Sequence, residues 1–139
     1  METLAAVILL CASPQERKSV DLEPAFRIPA NGARATHAAA TRFTSDGKSL
    51  LVATSSSEIV RFELGTQKIL GRHSIEGLNP DCVAFDSAGQ FAACASPKGG
   101  VVVLELGTSR LVTGGVGEVQ CIAFSPDARL VAVARGIDL

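Results

Sequence analysis

The sequence contains no tryptophan, no tyrosine and only two histidines among its 139 residues. Without tryptophan and tyrosine it has few side chains on which nucleic-acid bases could stack, and its 13 basic and 14 acidic residues are spread along the chain. Nucleic-acid binding is therefore not predicted. The four cysteines show no Cys-x-x-Cys spacing and the histidines lie elsewhere, so a zinc site is not predicted either.

The most informative feature that is present is an internal repeat. The tetrapeptide Glu-Leu-Gly-Thr occurs at residues 63–66 and again 42 residues later, at 105–108. Phe43, Phe85 and Phe124 recur at intervals of 42 and 39 residues. A period near 40 with strand-like contents is typical of propeller blades, because each copy is one small sheet that must stack on the next to bury its faces.

Each of the two complete copies contains four short apolar runs separated by turn residues, and the third copy contains the first two. Antiparallel neighbours joined by short loops need no crossover helix, so we expect a four-stranded meander in each copy. The first run ends at the repeated phenylalanine. The later runs are residues 50–53, 59–64 and 68–70 in the first copy, 91–95, 101–106 and 110–112 in the second, and 130–134 in the third.

The residues between the first two runs predict tight turns. Asp46 can accept a hydrogen bond from a nearby backbone amide while Gly47 takes a positive φ, and Gly89 does the same in the second copy. The third copy has Ala128 at this position, where a left-handed conformation costs an alanine about 1 kcal/mol. We therefore expect the third turn to be strained or to adopt another geometry, and to be the loosest of the three.

The repeat resembles the WD-repeat (WD40-like) pattern. It has the order Val-Ala-Phe-x-Ser-x-Gly, then a second apolar strand, then a third strand that ends in Phe62-Glu63 or Leu104-Glu105, where the family has Trp-Asp. The resemblance begins near residue 36. It implies a β-propeller and protein partners. Seven-bladed bacterial propellers with other repeat signatures, the YVTN-like proteins among them, fit equally well. The family's Gly-His pair and its aspartate before the third strand are missing from this sequence, so we expect their hydrogen-bond network to be missing too.

We predict an all-β fold of about two and a third four-stranded antiparallel blades that form an incomplete, open propeller. Blade 1 is assigned to about residues 36–73, blade 2 to about 78–114 and partial blade 3 to about 117–139. Closed propellers use about 4 to 8 blades, so further blades are expected from a longer chain or from self-association. A truncated gene without a stable product is the other hypothesis. One face of the first blade and one of the third are expected to expose apolar surface.

Residues 1–19 are interpreted as a possible signal peptide. The apolar stretch at residues 4–12 is too short for a bilayer core but matches the core of a secretory signal. Glu2, where a positive charge is usual, and Leu10, where a small residue is usual, argue against cleavage after Ala12. Residues 20–35 are predicted to be a linker or edge strand. The protein is expected to be exported if the signal is real and cytoplasmic otherwise.

The cysteines are explained by the repeat rather than by chemistry. Cys82 and Cys121 both lie three residues before the repeated phenylalanine, and Cys94 falls in an apolar run as a small core residue. A disulfide between Cys82 and Cys121 is open if the protein is exported, although equivalent positions on adjacent blades are usually too far apart.

No residue is predicted to be catalytic or to bind a cofactor or metal. His37 and His73 lie near strand boundaries with no third group to orient either ring. Two glycine-rich pieces occur, at residues 99–100 and 114–117. The second precedes an apolar strand and not a helix, so it is interpreted as a flexible link between blades and not as a phosphate site. The aspartates are scattered over turns, without the spacing of a calcium loop: Asp81, Asp86, Asp127 and Asp138.

The predicted function is that of a noncatalytic, WD-repeat-like scaffold for protein interactions, with an unknown partner and no membrane span. The alternative is that the chain is part of an exported propeller enzyme or cofactor-binding protein whose active residues lie outside it.

Overall fold

The computed structural model describes residues 38–115 and 117–136, which form ten β-strands in three antiparallel sheets. The predicted segments at residues 1–19 and 20–35, together with Cys11, His37 and Asp138, lie outside the described residues. The first sheet contains β1 (Ala38–Phe43), β2 (Ser49–Thr54), β3 (Glu58–Glu63) and β4 (Lys68–Ser74). The second contains β5 (Val83–Phe85), β6 (Phe91–Ala95), β7 (Val101–Glu105) and β8 (Arg110–Gly114), and the third contains β9 (Val119–Phe124) and β10 (Val131–Arg135).

The strand order within each sheet follows the chain, so the predicted all-β meander is confirmed. The outermost strands are longer than the apolar pattern indicated. β4 continues to Ser74 because backbone pairing with β3 runs as far as Glu58, and β8 continues to Gly114 opposite Val101. Backbone hydrogen bonds thus hold residues whose side chains gave no strand signal.

An apolar cluster fills the space between the first and second sheets. Because side chains alternate across a strand, each sheet has two faces, and here one face of each sheet meets the other. Leu51 and Ile59 of the first sheet pack in this cluster with Val102 and Leu104 of the second. At about 25 cal/mol per Å² of buried apolar area, this contact is a main source of stability.

The opposite face of the second sheet packs on the third sheet in the same way. Here the small side chains of Ala93 and Ala95 meet Ile122 of β9, with Val131 and Val133 of β10 packed at the border. The second sheet is therefore covered on both faces by neighbours, as a propeller blade must be.

The expectation of exposed apolar surface on the outward face of the first sheet holds at its edge strand β1, where Phe43 pairs with Leu50 and is 48% exposed, but not at its centre. Leu50 and Val52 point to the side opposite Leu51, and they pair across strands with Phe62 and Val60. None of the four side chains is more than 3% exposed. The corresponding expectation for the third sheet is confirmed, since its outward face is exposed and Leu130 is 71% exposed.

The first turn is closed by two side chains that act together. The Thr44 Oγ1 hydroxyl donates to Asp46 Oδ1 at 2.6 Å and accepts from the Ser49 amide at 3.0 Å, while Asp46 Oδ1 accepts from the Lys48 amide at 3.0 Å. These hydrogen bonds, with the Thr44 hydroxyl first, lower the pKa of Asp46. Gly47 has φ +68°, as predicted.

The third turn repeats the hydrogen bonds of the first, so of the two predicted alternatives, strain or a different geometry, the structure has strain. Ser125 and Asp127 make the same bonds as the first turn's pair, at 2.6 Å to each other and at 3.0 and 3.2 Å to the Leu130 and Arg129 amides. Ala128 has φ +58°. The turn thus stores a local strain that a glycine would remove.

The second turn reaches the same result with one carboxylate. Asp86 is buried, and its Oδ1 accepts from the Gln90 and Phe91 amides, each at 2.7 Å, while its Oδ2 accepts from the Ala88 amide at 3.1 Å. The carboxylate thus stands at the first position of this turn, whereas Asp46 and Asp127 stand at the third position of theirs. The sequence places both Asp127 and Asp86 in turns but gives no signal that Asp86 is buried and accepts three amide hydrogen bonds.

Ala128→Gly is expected to stabilise the protein. Glycine removes the cost of the left-handed backbone, about 1 kcal/mol, but it also raises the conformational entropy of the unfolded chain, which offsets part of the gain. The free energy of unfolding measured in urea is therefore expected to rise by about 0.5 kcal/mol. The matched control is Gly89→Ala, whose Cβ would lie 2.5 Å from Thr44 Cγ2 and should destabilise the protein. An unchanged or lowered midpoint for Ala128→Gly would show that this turn carries no strain.

Asp86→Thr is expected to lower the free energy of unfolding by about 1–3 kcal/mol, because buried turn amides lose a charged acceptor. Adding Ala88→Asp rebuilds the Thr-x-Asp pair of the first turn and should recover most of that loss. Urea unfolding of the two variants measures both effects. A double variant no more stable than Asp86→Thr would contradict the equivalence of the turns.

Candidate interaction surface

The loops that follow the even-numbered strands lie together at one end of the sheets. In a meander, strands alternate in direction, so the connections β2–β3, β4–β5, β6–β7 and β8–β9 share that end. We call it the loop end. The short turns that follow the odd-numbered strands form the other end, which we call the turn end.

Backbone hydrogen bonds join the loops at the loop end to one another. The Ile75 amide donates to Ser57 O at 3.0 Å, and the Gly100 amide donates to Gly117 O at 2.9 Å. The second bond joins the β6–β7 loop to the β8–β9 connection, so it links the second sheet to the third. The loops therefore form a connected surface and not separate flaps.

Two glycines allow this close approach. Gly77 has φ +72°, and a Cβ there would lie 2.6 Å from Pro97 Cγ. Gly100 has φ +83°, and its Cβ would lie 2.5 Å from Gly115 O. The sequence predicts a link between blades at residues 114–117 and gives no special role to Gly100. The structure adds that Gly100 is required by backbone packing as well as by φ.

A cleft of about 460 Å³ opens between these loops. Two charged side chains line the cleft, Glu118 and Lys98, and both are exposed. Beside it, Glu76 and Asp81 are exposed in the β4–β5 connection, and the Arg135 side chain lies next to Gly115 and Gly117. The cleft is lined by Gly77, Asn79, Ala95, Ser96, Pro97, Lys98, Gly99, Gly117, Glu118 and Val119. The cleft thus combines a glycine and proline floor with a polar, net negative border.

The turn end uses its polar groups to connect the sheets. The Ser45 amide donates to Ser87 O at 2.7 Å, and Ser87 Oγ donates to Pro126 O at 3.2 Å, so each turn bonds to the next. Arg61 reaches across to Gly89 O at 3.3 Å. Because these groups already have internal partners, the loop end is the better candidate for binding another molecule.

The histidine that falls within the described residues, His73, lies on β4 and is oriented toward the neighbouring sheet. Its Nδ1 is 3.3 Å from Ser109 Oγ, in the turn between β7 and β8. The adjacent Ser74 belongs to the opposite face of β4, because neighbouring residues on a strand point to opposite faces. The pair connects two sheets at the outer rim.

The three described cysteines are free thiols in different environments. Cys82 and Cys94 are buried, whereas Cys121 is exposed. Burial raises the pKa of the Cys94 thiol to about 11 and also raises that of Cys82, with a smaller contribution from the nearby Cys121. Buried, protonated thiols are poor nucleophiles, so Cys82 and Cys94 act as small packing residues.

Among residues 38–115 and 117–136, no group of three or more His, Cys, Asp and Glu side chains is arranged to hold a metal ion. The same part of the chain contains no helix long and apolar enough to cross a membrane.

No protein-family model matches the sequence, and no curated protein matches it. Solved propeller structures do match the fold. The Cps50 (Swd1) β-propeller domain of Myceliophteria thermophila aligns with 68% of this chain and 36% of its own at a TM-score of 0.57 and 21% identity. The RRP9 WD40 repeats align at 0.54 and 16%, over 67% of this chain and 31% of that one. Hydrazine synthase of Kuenenia stuttgartiensis aligns at 0.55 and 22%, over 68% and 28%.

These similarities confirm the resemblance to WD40 propellers at the level of the fold. The chain spans about a third of the solved chains that it matches and contains two complete four-stranded sheets and one strand pair. It is therefore part of a propeller ring as far as the described residues extend, which agrees with the predicted open propeller.

Alkylation of the native protein is expected to label Cys121 first and Cys94 last. Labelling of Cys94 should accelerate as the pH rises toward its raised pKa, since the thiolate is the reactive form. Peptide mass spectrometry after a timed iodoacetamide pulse separates the sites, with the urea-unfolded protein as the control. Equal rates for Cys94 and Cys121 at neutral pH would contradict the burial described above.

Proposed function

We propose that the chain is a noncatalytic interaction module that binds a partner protein through its loop end. The observation that carries the proposal is the cleft between three connected loops, held on stacked sheets whose own polar groups at the turn end are already paired. A binding surface on a rigid scaffold keeps its shape without an ordering cost at the moment of binding. We also propose that the chain is divided into successive blades, at about residues 36–73, 78–114 and 117–139.

The border charges indicate the chemistry of the partner. Glu118 lines the cleft, and Glu76 and Asp81 are exposed in the adjoining β4–β5 connection. These three carboxylates outnumber the two cations of the same region, Lys98 of the lining and Arg135 beside Gly115. Complementary charge raises association rates and selects between partners more than it adds affinity. The partner segment is therefore proposed to be basic, and its binding should weaken as salt is added.

The test is site-specific photo-crosslinking from each end of the sheets. A photoreactive amino acid replaces Lys98 at the loop end or Lys48, which is also exposed, at the turn end. The proposal predicts one discrete protein adduct from position 98 that is absent from position 48 and is lost when Glu118→Lys is added. Adducts of the same protein from both positions, or adducts insensitive to Glu118→Lys, would contradict it.

A further inference from the structure

The two complete sheets end at the outer rim in strands of different character. β4 has a β-bulge in its pairing with β3 and carries the charged side chains of Lys68 and Arg72. Bulges and charges are the usual means by which proteins block the pairing of an edge strand. β8 has neither between Leu111 and Gly114, since it pairs with β7 without a register shift, and all of its residues are exposed. The second sheet therefore has an unguarded outer edge.

The phase of the hydrogen bonds shows which peptide groups of β8 are open. In an antiparallel pair the N–H and C=O of one residue point to the same neighbouring strand, and successive residues alternate. The Leu106 amide donates to Gln90 O at 2.8 Å, on the side of β6. Alternation from Leu106 turns the peptide groups of Val103 toward β8, where its partner is Val112. Within residues 38–115 and 117–136, no strand pairs with the outward N–H and C=O groups of the two residues beside Val112, which are Leu111 and Thr113.

This edge is exposed although the sheet that it faces is complete. Leu111 pairs with Leu104, so both side chains point toward the four-stranded first sheet. Leu104 is 2% exposed, whereas Leu111 is 53% exposed. The sheets contact one another at their inner strands, where β1 meets β5 and β5 meets β9. Because the cover by the first sheet ends between Leu104 and Leu111, β8 projects from the stack at the rim.

We propose that β8 pairs antiparallel with the β8 strand of a second copy of this chain, about a twofold axis at Val112. In this register Leu111 of one copy lies opposite Thr113 of the other, and the two residues exchange both of their N–H···O bonds. Every open peptide group of the edge between Leu111 and Thr113 thereby gains a partner. The two Val112 side chains meet across the axis as a β-branched pair, which stabilises neighbouring strands.

The edge is complementary to itself, which favours a second copy over a foreign strand. Its open peptide groups are placed symmetrically about Val112, so a reversed copy of the strand presents the matching donors and acceptors. The charges are compatible as well. Arg110, the charged residue of β8, lies opposite Gly114 of the other copy and away from the other Arg110. The bulge of β4 interrupts the ladder that such a pairing needs.

A second copy reaches this edge without collision. The axis is perpendicular to the second sheet, so the other copy lies beyond β8 in the plane of that sheet, and the first and third sheets of both copies recede toward their inner strands. The two loop ends point in opposite directions, because the paired strands are antiparallel. The contact is small, so the dimer is weak and depends on concentration. The proposal concerns a surface separate from the loop end and does not depend on the function proposed above.

The first test is amide hydrogen exchange of the full chain, followed by NMR at micromolar and at millimolar protein concentration. The Leu111 and Thr113 amides are expected to gain protection as the concentration rises, because they are bonded only in the dimer. The Val112 amide is the internal control, since it is bonded to β7 in both states and should not change. If the Leu111 and Thr113 amides stay unprotected at millimolar concentration, the proposal is wrong.

Two variants locate the contact by sedimentation equilibrium. Thr113→Pro removes an open N–H donor, leaves the bonds to β7 in place and acts twice in a twofold dimer, so it should weaken association about tenfold or more. Thr113→Ala keeps the donor and should weaken association much less. Urea unfolding of both variants shows whether the monomer still folds. Equal association of the two folded variants would place the contact elsewhere, such as on the exposed face of the third sheet, and would overturn the proposal.

A charge exchange at Val112 tests the position of the axis. Like charges that face each other across paired strands are destabilising, so Val112→Lys and Val112→Glu should each be monomeric alone. An equimolar mixture should dimerise, because opposite charges then meet across the axis. A mixture that stays monomeric, or a single variant that dimerises as the original chain does, would rule out the twofold pairing. Crosslinking at the loop end is unaffected by any of these outcomes.

Discussion

The structure depends on the burial of each sheet between its neighbours. A four-stranded sheet of this size has two apolar faces and too few residues to cover either, so it is stable only in a stack. The second sheet shows the complete arrangement. Val102 and Leu104 point toward the first sheet, Ala93 and Ala95 point toward the third, and all four are buried. Between the second and third sheets the small Ala93 and Ala95 meet the larger Ile122, whereas large side chains meet on both sides of the contact between the first and second sheets.

The turns fix the order in which the sheets stack. Each turn at the turn end bonds to the following one, from Ser45 to Ser87 and from Ser87 to Pro126. The three turns have the same hydrogen-bond geometry, although different residues provide it. A Thr-Asp pair, a single buried Asp86 and a Ser-Asp pair all satisfy the same amides. The residue that supplies the accepting oxygen can therefore differ from turn to turn, as long as the turn amides receive a hydrogen-bond partner.

Sequence alone was sufficient for the strands and for their meander, because short apolar runs and turn residues are local signals. It was insufficient where pairing or packing decides. The extension of β4 to Ser74 comes from its pairing with the neighbouring strand β3. The loop-end cleft was also out of reach, since it arises where Gly77 meets Pro97 and Gly100 meets Gly115, and no local pattern relates those positions. The sequence placed Cys82, Cys94 and Cys121 correctly within the strands or at their borders, but the exposure of Cys121 is a property of the stack.

Face-to-face stacking is tested most directly by nuclear Overhauser effects between the first two sheets. A Cβ on Gly89 would lie 2.5 Å from Thr44 Cγ2 and 3.4 Å from Leu51 Cδ1, so the α-protons of this glycine should show strong contacts to both methyl groups. Methyl contacts from Leu51 to Val102 or Leu104 should accompany them. Strand pairing within each sheet together with the absence of every one of these contacts would show that the sheets form without stacking and would contradict the account.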